Sequence, residues 1–162
     1  MRASFYVFLF FVSLILQITI APLFSIREIT PDLILVMVII IAIQKGRVWG
    51  VVAGCLAGLI FDLFGAGLVG LSSLTKTVAG YTAGFLGSER IERRLSVVVG
   101  LLFLSILIHD LLYFSILSIG TAISIWKTFA RYVLPTSFYT LIFALVIHLI
   151  WPKVLWGKIE EY

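Results

Sequence analysis

The sequence consists of long apolar segments separated by short polar links, and this pattern continues over most of its 162 residues. A helix needs about 20 mainly apolar residues to cross the hydrocarbon core of a bilayer. On this criterion we predict an all-α polytopic membrane protein with six transmembrane helices. The predicted spans are residues 4–24, 31–44, 48–65, 68–87, 96–119 and 132–151. The links between them are too short to fold separately, so residues 1–162 are predicted to be a single transmembrane domain.

The second segment is unusually short. Its uninterrupted apolar core runs from Leu33 to Ile43, which is about 16 Å at helical rise, whereas the hydrocarbon core is about 30 Å thick. Pro31 and Asp32 are predicted to start this helix, because proline suits a first helical turn and a carboxylate suits a helix N-terminus. Either the helix also uses Pro31, Asp32 and Gln44 in a locally thinned membrane, or neighbouring helices shield it.

Two other segments need an explicit interpretation. The first resembles a signal peptide in outline, but its apolar run is longer than usual and further apolar segments follow, so a spanning helix is predicted. Residues 120–131 are mixed in polarity and carry Trp126, which predicts an interfacial helix or loop. The sixth span follows, with Pro135 in its first turn.

Composition supports membrane insertion, since 62% of the residues are hydrophobic, 12% are charged and the mean hydropathy is +1.19. The net charge of +4 does not indicate nucleic-acid binding, because the basic residues lie at segment ends beside Trp and Tyr. Eight Lys and Arg residues fall on one side of the six predicted spans and three on the other. This asymmetry predicts that both termini are cytoplasmic.

The usual chemical motifs are not found. The only cysteine, Cys55, has no second cysteine to pair with, and the two histidines, His109 and His148, lie on different predicted helices. The glycines do not form a nucleotide-binding loop, and no serine stands in a nucleophile motif. The sequence therefore predicts no metal, no cofactor and no enzymatic activity.

Residues 50–84 contain two stripes of glycine joined by the predicted turn Gly65-Ala66-Gly67. Glycine at intervals of four lets helix backbones approach closely inside a membrane. The stripes are predicted to pack helices together or to contact a partner helix, and they comprise Gly50, Gly54 and Gly58 in the third segment and Gly80 and Gly84 in the fourth.

Each stripe also carries one charge, Asp62 before the turn and Lys76 after it. In an antiparallel hairpin these two residues are predicted to pair. His109 and Asp110 in the fifth segment are predicted at a similar depth, roughly 18 to 21 Å from the cytoplasmic face at helical rise. Ionisable residues in a membrane normally face the bundle interior. The polar cluster of Asp62, Lys76, His109 and Asp110 is therefore interpreted either as a structural element or as a binding or transport site.

The chain resembles the MreD family of rod shape-determining membrane proteins over most of its length. The resemblance rests on length, the apolar spans, Pro31-Asp32 before the second span and several short motifs. These motifs are Gly50, Gly54, Gly58 and Asp62 at intervals of four, Leu68-Val69-Gly70-Leu71-Ser72-Ser73-Leu74, and Val78-Ala79-Gly80-Tyr81-Thr82-Ala83-Gly84. Lys76 is not a required part of that pattern.

The resemblance implies a non-enzymatic scaffold of the cell-wall elongation complex, in the bacterial cytoplasmic (inner) membrane. Its implied partners are an MreC-like protein and, in a larger assembly, MreB, RodA and its transpeptidase. Apart from the resemblance, membrane lipid is an expected partner and a homodimer is a further alternative. The family is also similar in fold to the S-components of energy-coupling-factor transporters. This similarity implies a rival function, a small-molecule transporter subunit or lipid-intermediate binder whose outward pocket uses the charged cluster and Arg131.

Overall fold

The structure is a computed structural model that describes residues 3–26, 29–65, 68–88, 95–119 and 124–150. Within these ranges every named element is a helix. The helices are α1 (Ala3–Thr19), α2 (Leu33–Lys45), α3 (Arg47–Phe64), α4 (Leu71–Ser88), α5 (Leu95–Leu117), α6 (Ile125–Thr128) and α7 (Leu134–Ile150). A 3₁₀ turn, Ala21–Phe24, follows α1, and a π-helical turn, Phe129–Val133, joins α6 to α7. An all-α fold is thus confirmed.

Helix α2 lies at the centre of the bundle. All of its side chains from Leu33 to Gln44 are buried, and it packs against α1, α3, α4, α5 and α7. Apolar residues on every side of a helix are the pattern expected of a helix enclosed by others. Of the two alternatives for the short second segment, the structure has the one in which neighbouring helices shield it.

Among the residues that the structure describes, the apolar core forms two clusters, and α2 contributes to both. One cluster joins α2 to α4, α5 and α7, with Leu102 and Ile106 of α5 completely buried. The other joins Ile34 and Val38 of α2 to Leu14 of α1 and Ala57 of α3. The central helix therefore connects packing layers that would otherwise be separate.

Helices α3 and α4 form the most extensive helix pair, and glycines line their contact surface. A methyl group added at Gly50 would meet the backbone of Gly80, and one added at Gly54 would meet the backbone of Lys76. The same holds for Gly58 against Ser73. The two backbones are therefore as close as glycine allows, which is the packing that small residues permit between membrane helices.

The region before the sixth predicted span differs from the prediction. The structure describes it from Ser124, and α6 continues through the π-helical turn Phe129–Val133 into α7. A proline inside a helix normally clashes with the carbonyl four residues earlier. Here the backbone N–H of Leu134 donates to the carbonyl of Phe129, five residues earlier, and this wide turn directly precedes Pro135. The wider turn lets the helix continue past the proline.

Within the described part of the chain, three helices are long and apolar enough to cross a membrane, namely Arg47–Phe64, Leu95–Leu117 and Trp126–Ile150. Phe8–Thr19 and Leu33–Lys45 are apolar but shorter. The six-span arrangement remains a prediction. The Ala66-Gly67 part of the predicted turn, residues 89–94 between the fourth and fifth predicted spans, and residues 151–162 lie outside the described residues.

Candidate functional site

The site is centred on Lys76, a fully buried cation in α4. Its side chain is one of the largest that the structure encloses completely, and only 1% of the residue is exposed. The ammonium Nζ lies 2.5 Å from Oδ2 of Asp32. The predicted pairing of Lys76 with Asp62 is therefore wrong. The side chain of Lys76 points toward the start of α2, where a different carboxylate is available.

Asp32 is the N-cap of α2, at the position where the sequence predicts a helix start. Its Oδ1 accepts a hydrogen bond from the backbone N–H of Leu35 at 2.8 Å, while Oδ2 faces Lys76. Its own backbone N–H donates to Thr140 Oγ1 of α7 at 3.2 Å. Capping satisfies one of the unpaired N–H groups of a helix end, so one carboxylate both starts α2 and neutralises Lys76.

Gln17 of α1 holds the backbone on both sides of Asp32. Its Nε2 donates to the carbonyl of Pro31 at 3.0 Å, and its Oε1 accepts from the N–H of Leu33 at 2.7 Å. A buried amide that satisfies two backbone groups fixes the position of the chain between them. The start of α2 is thus held by α1, α4 and α7 together.

His109 and Asp110 of α5 continue the network from Lys76. His109 Nε2 lies 3.5 Å from Lys76 Nζ, and His109 Nδ1 lies 2.9 Å from Asp110 Oδ1. An ammonium group only donates hydrogen bonds, so Nε2 is the acceptor and Nδ1 carries the proton that is donated to Asp110. Ser137 Oγ of α7 then donates to Asp110 Oδ2 at 2.7 Å.

These contacts form one chain of buried and partly buried polar groups through four helices, which we call the polar network. It runs from Asp32 at the start of α2 to Lys76 of α4, to His109 and Asp110 of α5, and to Ser137 of α7. Charges inside a membrane protein are costly unless they are paired and hydrogen-bonded. In this network the ammonium and both carboxylates have such partners.

Asp62 belongs to the predicted cluster but lies outside the polar network, and it has a separate role in the structure. Its carboxylate accepts hydrogen bonds from the backbone N–H groups of Gly70, Ser72 and Ser73, at 2.8, 3.3 and 3.2 Å. These groups belong to the first turn of α4 and the residue before it. A helix N-terminus has unpaired N–H groups and a partial positive charge, so it binds a carboxylate well. Asp62 caps α4 from the end of α3.

The glycines predicted to pack helices or to contact a partner face each other. Gly50 lies against Gly80, and Gly84 lies against the backbone of Arg47. Because α3 and α4 already occupy these faces, a partner helix has to bind another surface of the bundle. The outward faces include Leu56 of α3 and Phe138 of α7, which are more than half exposed at 54% and 53%.

Three polar side chains of the site do not stand out in the sequence. Gln17 interrupts an apolar run only mildly, and no motif includes Ser137 or Thr140. The spacing of three between Ser137 and Thr140 does place them on one face of a helix. A polar face on an otherwise apolar helix is the signal that indicates contact with another polar group.

A small cavity of about 220 Å³ lies beside this end of the bundle. Its lining includes Gln17 and Thr30 together with Phe61, Phe64 and Gly65 at the end of α3. The ring of Phe61 also lies 5.3 Å from Lys76 Nζ, so this side chain lies next to both the cavity and the polar network. Arg131, predicted to line an outward pocket, is exposed on the π-helical turn and does not line this cavity.

Among the described residues, no three His, Cys, Asp or Glu side chains come together as a metal-binding group. What the polar network can do is hold α2, α4, α5 and α7 in fixed relative positions.

The comparisons with known proteins give a family match. The family model described as rod shape-determining protein MreD matches residues 1–156 of the chain. No curated protein and no solved structure matches it. The similarity to the S-component fold therefore remains a prediction.

Proposed function

The chain belongs to the MreD family of rod shape-determining membrane proteins, and from this premise we propose that it is a non-enzymatic scaffold of the cell-wall elongation complex. In this role it binds an MreC-like partner in the bacterial inner membrane. The observation that carries the proposal is the family match, which covers nearly the whole chain. The assigned role thus concerns the whole bundle and not one module of it.

The internal arrangement of the bundle supports a scaffold. The charged side chains of the polar network are paired with one another, and the glycine faces of α3 and α4 are paired as well. A scaffold needs helices that keep their relative positions while partners bind outside. The outer faces of α1, α3 and α7 carry large exposed apolar side chains, among them Phe11, Leu56 and Ile142.

The test is photo-crosslinking in rod-shaped bacteria whose own family member has been deleted. A photoreactive residue replaces Phe11, Leu56 or Ile142, one at a time, and crosslinked proteins are recovered from membranes. At least one of these exposed positions is expected to capture the MreC-like protein. A matched buried position, Ala57, is expected to capture none. Rod shape restored with no capture at any exposed position contradicts the proposal, and capture of a second copy supports the homodimer instead.

The second candidate, a transporter subunit or lipid-intermediate binder, is favoured by one observation, the cavity next to Phe61. Ligand pockets usually measure about 300 to 1,000 Å³, so this cavity is smaller than the usual range. None of the charged residues of the polar network lines this cavity, and these charges satisfy one another. These points favour the scaffold.

A cavity-filling substitution separates the two candidates. Gly65 lines the cavity and has φ −90 and ψ 162, a conformation open to any residue. Gly65→Leu is expected to leave rod-shape complementation and partner capture intact if the protein is a scaffold. Loss of complementation with normal membrane yield and normal partner capture would favour the ligand-binding function.

A further inference from the structure

The first two turns of the helix that runs from α6 into α7 expose a basic face. It consists of Trp126, Lys127, Ala130 and Arg131, all of them exposed, with Trp126 at 80%. The buried residues of the same turns, Thr128 and Val133, lie on the other side. Side chains four residues apart share a face of a helix, so Lys127 and Arg131 present their charges together.

The opposite face fixes this helix against α5. Thr128 Oγ1 lies 3.3 Å from Ser118 Oγ, and the ring of Tyr132 stacks on Phe114 with centroids 5.6 Å apart. The π-helical turn is the part of the helix that carries Arg131, and such turns are frequent at functional sites. The basic face is therefore held in one orientation by packing behind it.

The helix that carries the two cations contains no Asp or Glu, and Arg131 lies 5.8 Å from the centroid of the Tyr132 ring beside it. Lys127 lies in the first turn, where the helix dipole disfavours a positive charge. The described carboxylates at this end of the bundle have other hydrogen-bond partners: Asp32 binds Lys76, Asp62 binds the start of α4, and Asp110 binds Ser137. The positive charge on this face is thus directed toward the surroundings of the protein.

We propose that this basic face binds the phosphate headgroup of an anionic membrane lipid. Trp126 lies one residue from Lys127 at the end of a helix that is long and apolar enough to cross the membrane. Tryptophan prefers the level of the lipid headgroups, so the two basic side chains lie at the depth of the lipid phosphates. Each basic group near an anionic membrane surface contributes about 1 kcal/mol, or about five-fold in affinity.

The test measures lipid binding by the purified full-length protein in detergent, with native mass spectrometry as the readout. The probes are phosphatidylglycerol and phosphatidylcholine with identical acyl chains. The protein is expected to bind phosphatidylglycerol more tightly. Lys127→Gln and Arg131→Gln are each expected to weaken that binding about five-fold. The charge-preserving pair Lys127→Arg and Arg131→Lys is expected to retain it.

Arg47→Gln is the matched control, because Arg47 is an exposed basic residue at the start of α3. It is expected to weaken binding of phosphatidylglycerol less than Lys127→Gln or Arg131→Gln does, because α3 has no second basic residue one helical turn after Arg47. An equal loss in Arg47→Gln, or an unchanged preference when Lys127 and Arg131 are both replaced by glutamine, overturns the proposal. The proposal is also overturned if inorganic phosphate displaces phosphatidylglycerol as effectively as added lipid does, since the face would then bind a free anion.

Discussion

Among the described residues, buried Lys76 forms its ion pair with Asp32, a carboxylate that is 18% exposed at the start of α2. Replacing Lys76 by methionine keeps most of the side-chain volume but leaves the Asp32 carboxylate without its cation. Breaking a buried ion pair by removing one partner costs about 3–5 kcal/mol. We expect Lys76→Met to lower the free energy of unfolding by about that amount, as measured by denaturant unfolding in detergent.

The double variant Lys76→Met with Asp32→Asn is the control for this prediction. It removes both charges, while the asparagine oxygen can still cap α2. We expect its loss of stability to be smaller than the sum of the two single losses, because neither charge is left unmatched. Additive losses would show that the 2.5 Å contact between Lys76 and Asp32 does not couple the two residues energetically.

Asp62 has a different kind of partner, and its substitution has a different expected cost. Asp62→Ala removes the acceptor for the backbone N–H groups at the start of α4. Loss of a helix cap costs about 0.5–2 kcal/mol. We therefore expect Asp62→Ala to lower thermal stability less than Lys76→Met does. A larger loss in the Asp62 variant would indicate that it also neutralises a buried charge.

Three residues of the polar network can be selected from the sequence, but their pairing cannot. Lys76, His109 and Asp110 stand out because ionisable residues are rare in apolar helices. Helical spacing gives depth along each helix, and Asp62 and Lys76 have similar depths. It does not give the direction of a long lysine side chain, nor which helix lies next to it. The sequence identifies Asp32 as a helix start, and the same carboxylate also serves as the counter-charge.

Helices α3 and α4 pack so closely that added side chains have no space between them. The Cβ of an alanine at Gly54 would overlap the backbone of Lys76, which cannot move without shifting the helix. Overpacking typically costs about 1–3 kcal/mol. We expect Gly54→Ala to lower the free energy of unfolding by about that amount, measured in the same detergent.

Gly100 of α5 is the matched control for that substitution. It is also a glycine within a helix, but a Cβ added there meets nothing within 4 Å. Because alanine is the better helix former, Gly100→Ala is expected to stabilise the protein by about 0.5–1 kcal/mol. If both variants lost stability equally, close packing at Gly54 would not be the cause.

Helix positions follow well from apolar periodicity, whereas the enclosure of α2 does not. Its eleven-residue apolar core, Leu33 to Ile43, is consistent with a thinned membrane or with shielding by neighbours. Only tertiary packing distinguishes these cases, because both give the same sequence pattern. The continuation of α6 into α7 is also not predicted, since Pro135 and the mixed polarity before it indicate a boundary.

The contacts between helices fix which loops share a side of the bundle. Lys76 near the start of α4 contacts His109 in the second half of α5, so α4 and α5 are antiparallel. The start of α4 and the end of α5 therefore lie at the same end of the molecule. Val69 before α4 and Lys127 after α5 are both exposed at that end, while Arg47 at the start of α3 lies at the opposite end.

This arrangement gives a test of the predicted orientation, in which both termini are cytoplasmic. In a Cys55→Ser background, Val69→Cys and Lys127→Cys are expected to react with a membrane-impermeant maleimide added to intact spheroplasts. Arg47→Cys is expected to react only after permeabilisation, since the basic side of a membrane protein faces the cytoplasm. The reverse labelling pattern would show that both termini lie on the outer side of the membrane. Labelling of Val69→Cys without Lys127→Cys would contradict the antiparallel packing of α4 and α5, on which the polar network depends.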